Sequence, residues 1–162
     1  MTYQIVSERR KNNPGAVRTP DDAFNLVKRY GKEQKEHFIV ITLNDVHEPI
    51  SVSIATIGLV NRTIVHPREV FVRAIQDMAT AIVVCHNHPS GSLKASDADN
   101  EITEMLCEAG KLLGIQVLDH IIFSEAGFRS LRKEGCLYFK GKNNEPKQMP
   151  KERQKKKRRK SG

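Results

Sequence analysis

The sequence predicts an α/β domain in which a mixed β-sheet is flanked by helices, on three observations. Short β-branched apolar runs at residues 37–43, 50–58, 81–85 and 115–123 alternate with segments whose apolar residues recur at helical spacing. The run 81–85 (AIVVC) is apolar throughout, the pattern of a strand covered on both faces. Helix starts are marked by capping residues followed by proline or acids, as at Thr19-Pro20-Asp21-Asp22.

Taken in order, the first 18 residues form a polar N-terminal extension in which Tyr3, Ile5 and Val6 suggest one edge strand before an Asn-Asn-Pro-Gly turn. Thr19 then caps a helix carrying Ala23, Phe24, Leu26, Val27 and Tyr30 as far as Gly31. HFIVITL (37–43) and the run 50–58 are neighbouring strands joined by the polar NDVHEP turn. A further short strand is expected at 63–65, followed by a helix from Pro67 whose inward face is Val70, Phe71, Ala74, Ile75 and Met78. After the strand 81–85 comes the loop HNHPSGSLKAS, and Ser96 caps a helix ending before Gly114. Residues 115–123 are the next strand, and Glu125-Ala126-Gly127 turns the chain into a short returning segment at 128–131. The order is αβββαβαβ, with no internal repeat and no glycine-rich nucleotide loop.

A chain of 162 residues, 38% hydrophobic and 28% charged, suits one packed domain, assigned to residues 19–140. No apolar run approaches the ~20 residues of a membrane helix, and the start MTYQIVSERR lacks a secretory apolar segment. No membrane partner and no export are therefore expected. Cys85, Cys107 and Cys136 are an odd number without CxxC spacing, which suits a reducing cytoplasm better than a disulfide framework. The net charge of +8 is confined to residues 147–162, with nine Lys/Arg against Glu152, leaving 18 of the 27 bases to balance 18 of the 19 acids. Residues 141–162 read as a disordered basic tail, either a solubilising terminus or a source of non-specific, salt-sensitive attraction to nucleic acid.

The chemistry is carried by His86 and His88, which lie two apart and face the same way on extended backbone. Ser96 and Asp99 complete a His-x-His-x7-Ser-x2-Asp pattern expected by chance about 5 times in 10,000 such compositions. Two imidazoles and one carboxylate are a ligand set for catalytic Zn2+, three protein donors leaving a fourth position for water. Zinc brings the pKa of that water toward ~7, and a carboxylate nearby is then needed as general base. The Ser96 hydroxyl beside such a metal could donate to an oxyanion. The same Ser-x-x-Asp is also a capping box, and the two roles are compatible.

These residues resemble the JAMM (MPN+) metalloprotease signature. HPREVF (66–71), HNHPSG (86–91), the Ser96/Asp99 pair and AGKLLGIQVLDHII (109–122) are similar to the RadC family of bacterial JAB-domain proteins over roughly residues 20–138. The resemblance implies a JAB/MPN, cytidine-deaminase-like sandwich, zinc held by His86, His88 and Asp99, and hydrolysis of a peptide or isopeptide bond. It also implies a glutamate base at the start of the strand after the first helix, a place filled by Glu36, with Glu33 in the preceding turn. Glu69, at a helix start, suits the helix dipole instead. Full-length RadC proteins carry an N-terminal helix-hairpin-helix-type DNA-binding domain, which is not expected within these 162 residues. That weakens direct transfer of a DNA-repair role. A nucleic-acid-associated module, in which the basic tail supplies DNA contact and the metal is structural or vestigial, is the alternative to a hydrolase, and hydrolysis of a non-peptide amide or a nucleic-acid bond is a third reading.

Other polar residues read as structural. Asp119 and His120 inside an apolar strand invite a role behind the ligands or in catalysis, but read first as a structural hydrogen-bonded pair. Ser90 and Gly91 shape the turn, Gly91 supplying backbone freedom. Cys85 ends a buried strand as packing rather than as a reactive thiol.

Overall fold

A computed structural model describes residues 14–58 and 65–139. Five strands, β1 (Glu36–Leu43), β2 (Pro49–Gly58), β3 (Ala81–Asn87), β4 (Gln116–Ser124) and β5 (Gly127–Ser130), form one mixed sheet in the order β2-β1-β3-β4-β5. Only β3 and β4 are parallel; β1 is antiparallel to both β2 and β3, and β5 to β4. Three α-helices, α1 (Pro20–Val27), α2 (Pro67–Gln76) and α3 (Asp97–Leu113), cover the two faces. The α/β class and the flanked mixed sheet are as the sequence predicts. The expected strand near Tyr3 and the basic tail 141–162 lie outside the described residues, as do residues 63 and 64 of the expected short strand, while Val65 belongs to no strand.

Strand alternation divides the core in two. Ala23, Leu26 and Val27 of α1 pack on Ile39, Ile41, Leu43, Val83, Cys85, Ile121 and Phe123. On the other face Val70, Phe71 and Ala74 of α2 and Leu106 and Cys107 of α3 cover Phe38, Val40, Ile82, Val84 and Val117. Strand β3 is buried at every position, which is why residues 81–85 read as an unbroken apolar run.

Local chemistry sets the element ends. Thr19 closes a capping box on α1: its hydroxyl accepts from the Asp22 N–H at 3.2 Å, and Asp22 accepts from the Thr19 N–H at 2.8 Å. The helix stops at Val27, four residues short of the expected Gly31, and tightens into a 3-10 turn, Lys28–Lys32. Helix α2 also ends early, at Gln76. Ile75 is 52% and Met78 84% exposed, which corrects their assignment to the inward face. The end of α2 is held to the sheet by polar atoms instead. The buried Asp77 carboxylate accepts from Thr42 at 2.7 Å, from Ser51, and from Arg73 Nε at 3.1 Å. Gly114, at φ 70°, terminates α3 in the left-handed conformation that glycine tolerates.

Gly110 is required by contact rather than by dihedral. A methyl group there would overlap the Ile115 carbonyl oxygen and press on Val117 and Phe71. An alanine inside a helix ordinarily stabilises by about 0.5–1 kcal/mol over glycine. Gly110→Ala is expected to do the reverse, destabilising by roughly 1–3 kcal/mol through overpacking. A urea unfolding midpoint equal to or above that of the unaltered chain would contradict this.

Candidate metal centre

Three side chains from three kinds of backbone meet where β3 emerges from the sheet. The strand runs two residues beyond Cys85, so His86 projects from its end toward α3 rather than from a loop. His88, just past the strand, is held by its own N–H on the Phe123 carbonyl at 2.9 Å, and Gly91 at φ 83° lets the chain turn back. Asp99 is the third residue of α3, whose cap Ser96 accepts from the Asp99 N–H at 3.1 Å and donates its own N–H to Asp99 Oδ2 at 2.7 Å. His86 Nε2 lies 2.7 Å from His88 Nε2 and 3.1 Å from Asp99 Oδ1; His88 Nε2 lies 3.5 Å from Asp99 Oδ2. His86, His88 and Asp99 form the metal-competent group of His, Cys, Asp and Glu side chains among the described residues.

The outer hydrogen bonds decide which nitrogen carries the proton. Thr103 Oγ1 lies 2.5 Å from the Asp99 carbonyl oxygen, which can only accept, so the hydroxyl donates there. At 2.6 Å from His120 Nδ1, Thr103 must then accept, which puts the His120 proton on Nδ1 and leaves its Nε2 as acceptor. His86 Nδ1 donates its own N–H to His120 Nε2 at 2.8 Å, so the His86 Nε2 lone pair faces the centre. His88 reaches the same state more simply, donating from Nδ1 to the Ser92 carbonyl at 2.8 Å. Two nitrogen lone pairs and a carboxylate therefore converge with no donor between them.

Such a cluster requires positive charge. Burial pushes the Asp99 carboxyl up, but the His86 and His88 rings, which would donate to it once protonated, outweigh burial and hold Asp99 well below the usual carboxylate range. The Asp99 carboxylate in turn raises His88, against the opposing effect of burial. His120, fully buried, is pushed well below the ordinary histidine range by desolvation and by neighbouring His86, and so stays neutral, as its hydrogen-bond role demands. One proton can satisfy two of the three acceptors, whereas a divalent cation satisfies all three. Tetrahedral zinc donors at ~2.0–2.1 Å lie about 3.3 Å apart, within the spread of the separations found, so the donor set fits this ion in chemistry and spacing.

The structure brings Glu36, the first residue of β1, to the same place. It lines a cavity of about 60 Å³ together with Phe38, His86, Asp99 and Ile102, room for one or two waters. Ser96 is the N-cap beside Asp99, and accepting one bond leaves its hydroxyl proton to donate. Glu69 serves in the α2 capping box, its carboxylate accepting from the His66 N–H at 3.2 Å. Cys85 points to the α1 face, where burial drives its thiol pKa far up. The expected Asp119–His120 side-chain pair is corrected: on β4 the two leave opposite faces, His120 toward His86 and Asp119 toward α1. The Asp119 carboxylate accepts instead from Ser130 at 2.5 Å and from the backbone N–H groups of His120 and Arg132 at 2.7 and 3.0 Å.

A family model described as RadC-like JAB domain matches residues 17–136. Among curated relatives, a UPF0758 protein of Alkaliphilus metalliredigens is 45% identical over 135 residues, 82% of this chain and 57% of its own length. One of Methanospirillum hungatei is 51% identical over 107 residues, 66% of this chain and 47% of its own. One of Clostridium acetobutylicum is 44% identical over 122 residues, 75% and 53% of the two chains. The chain thus spans about half the length of these relatives.

The proton relay through His120 gives a direct test. His120→Leu removes the acceptor that fixes the His86 tautomer while preserving volume. Zinc affinity, measured by competition with a chromophoric chelator, is expected to fall about 10–100-fold with the fold intact by circular dichroism. Unchanged affinity would show that the relay does not orient the ligand.

Proposed function

Because this chain belongs to the RadC-like JAB domain family, we propose that it is a zinc-dependent hydrolase acting on peptide or isopeptide bonds, with His86, His88 and Asp99 as ligands, Glu36 as general base and Ser96 as oxyanion donor. The observation that carries the proposal is the convergence of three acceptor atoms whose outer hydrogen bonds leave them bare. Zinc held there supplies Lewis acidity that makes water nucleophilic near neutral pH. Glu36, on the rim of the same small cavity, takes the water proton and returns it to the leaving amine. Ser96 keeps Asp99 in place through the capping box and directs its remaining hydroxyl proton at the oxyanion that forms on the attacked carbonyl. His120 and Thr103 hold the His86 ring and its tautomer throughout.

Two substitutions separate ligand from base. His88→Ala is expected to abolish the one-to-one zinc content of the purified chain, and retention of full zinc would end the ligand assignment. Glu36→Gln is expected to keep zinc and lower turnover in a peptide and isopeptide library by about 10²–10⁴-fold. Undiminished turnover in that variant would remove Glu36 from the reaction.

The composition of residues 147–162, nine cations against one acid, supports a second reading beside the first, non-specific attraction to nucleic acid. Deleting them is expected to weaken duplex-DNA binding at low salt about 10-fold or more and to flatten its salt dependence. Identical binding curves would remove the tail from any such role.

A further inference from the structure

Between the two candidate ligands stands Asn87, to which the chemistry above gives no task. Strand alternation turns its side chain to the face opposite His86, and the residue is fully buried. There its amide spans the entry to β1. Oδ1 accepts from the His37 N–H at 2.6 Å, while Nδ2 donates to the carbonyl oxygens of Lys35 at 3.0 Å and Glu33 at 3.3 Å. Those backbone groups bracket Glu36. Strand β2 pairs with β1 as far as Glu36 and Gly58, but the main-chain ladder between β1 and β3 ends at the pair Phe38 and His86, so on the β3 side this side chain takes over the grip on the segment.

The residue type matters. A primary amide offers an acceptor and two donors in one plane, which no other side chain of this reach supplies. Aspartate would keep the acceptor but set a carboxylate against two carbonyl oxygens, and alanine would take from the N–H of buried His37 its acceptor.

We infer that Asn87 is a positioning residue that fixes the Glu36 carboxylate relative to the His86, His88 and Asp99 donors, acting through the backbone of residues 33–37. Strand β3 thereby sets the ligand with one face and the base with the other. The inference rests on the reading of Glu36 as base, because only then does its placement bear on the reaction. Misplacement of a reacting group by about 1 Å costs on the order of 10²-fold in rate, so a grip of this kind has functional weight beyond stability.

The test uses the full chain with Asn87→Ala, Asn87→Asp, Glu36→Gln and the Asn87→Ala/Glu36→Gln double variant. Zinc stoichiometry, His37 amide exchange by NMR and the visible spectrum of the cobalt(II)-loaded chain are compared. Both Asn87 variants are expected to retain one metal per chain, and Asn87→Ala to speed His37 exchange about 10-fold or more. The cobalt spectra of both Asn87 variants are expected to move in the direction of Glu36→Gln, and the double variant no further than Glu36→Gln alone. An unchanged His37 amide, a wild-type cobalt spectrum in either folded Asn87 variant, or additive shifts in the double variant would overturn the role of Asn87. A Glu36→Gln chain with unaltered spectrum and unaltered turnover would instead overturn the base assignment, a distinguishable failure.

Discussion

Three electron-pair donors aimed at one point, with no proton-bearing group among them, are the constraint on which the rest of the site depends. Left to themselves, two imidazole lone pairs 2.7 Å apart beside a carboxylate repel one another. The arrangement persists because each donor is anchored elsewhere: His86 through His120 and Thr103, His88 through its ring and backbone bonds to Ser92 and Phe123, Asp99 through Ser96. Strain of this kind is relieved by whichever cation enters, so binding free energy and folding free energy are coupled at this point.

Topology explains why these residues meet. Parallel pairing of β3 and β4 requires a crossover, supplied by α3, and a helix that follows a strand begins above that strand's carboxyl end. Asp99 in the first turn is thereby delivered over His86. The positive end of the helix favours its ionised form, and the capping box fixes its rotamer. On the other side, the antiparallel partner β1 starts where β3 ends, which sets Glu36 at the same rim.

How much of this the sequence discloses depends on how local each cause is. The strands, the caps at Thr19 and Ser96, and the His-x-His-x7-Ser-x2-Asp spacing are written within a few residues and are legible, and the spacing alone singles out the trio that the fold brings together. The early end of α2 is not legible, because Asp77 is drawn to Thr42 and Ser51, 35 and 26 residues away. Apolar periodicity therefore overextends the inward face to Ile75 and Met78. His120 gives a partial signal, a polar residue in an apolar strand, yet its partner is not the adjacent Asp119. Alternation sends neighbours to opposite faces, and the ring meets Thr103 and His86, 17 and 34 residues away in sequence. Asn87 is hidden for the same reason, since its three contacts lie 50 to 54 residues earlier.

The donors, the candidate base, the relay through His120 and Thr103, and Asn87 all fall within residues 17–136, the stretch matched by the family model. The residues of the proposed site are therefore gathered in a segment about half as long as the curated relatives. That separation has a physical basis. A metal centre needs sub-ångström placement, which buried strands and a capped helix provide, whereas choice of substrate is set by shape and charge at the rim and by whatever lies beyond it. Strand β3 concentrates the demanding part. Its odd and even positions answer to different faces of the sheet, so His86 and Asn87 at its end, with His88 just past it, reach the candidate metal position and the segment that carries Glu36.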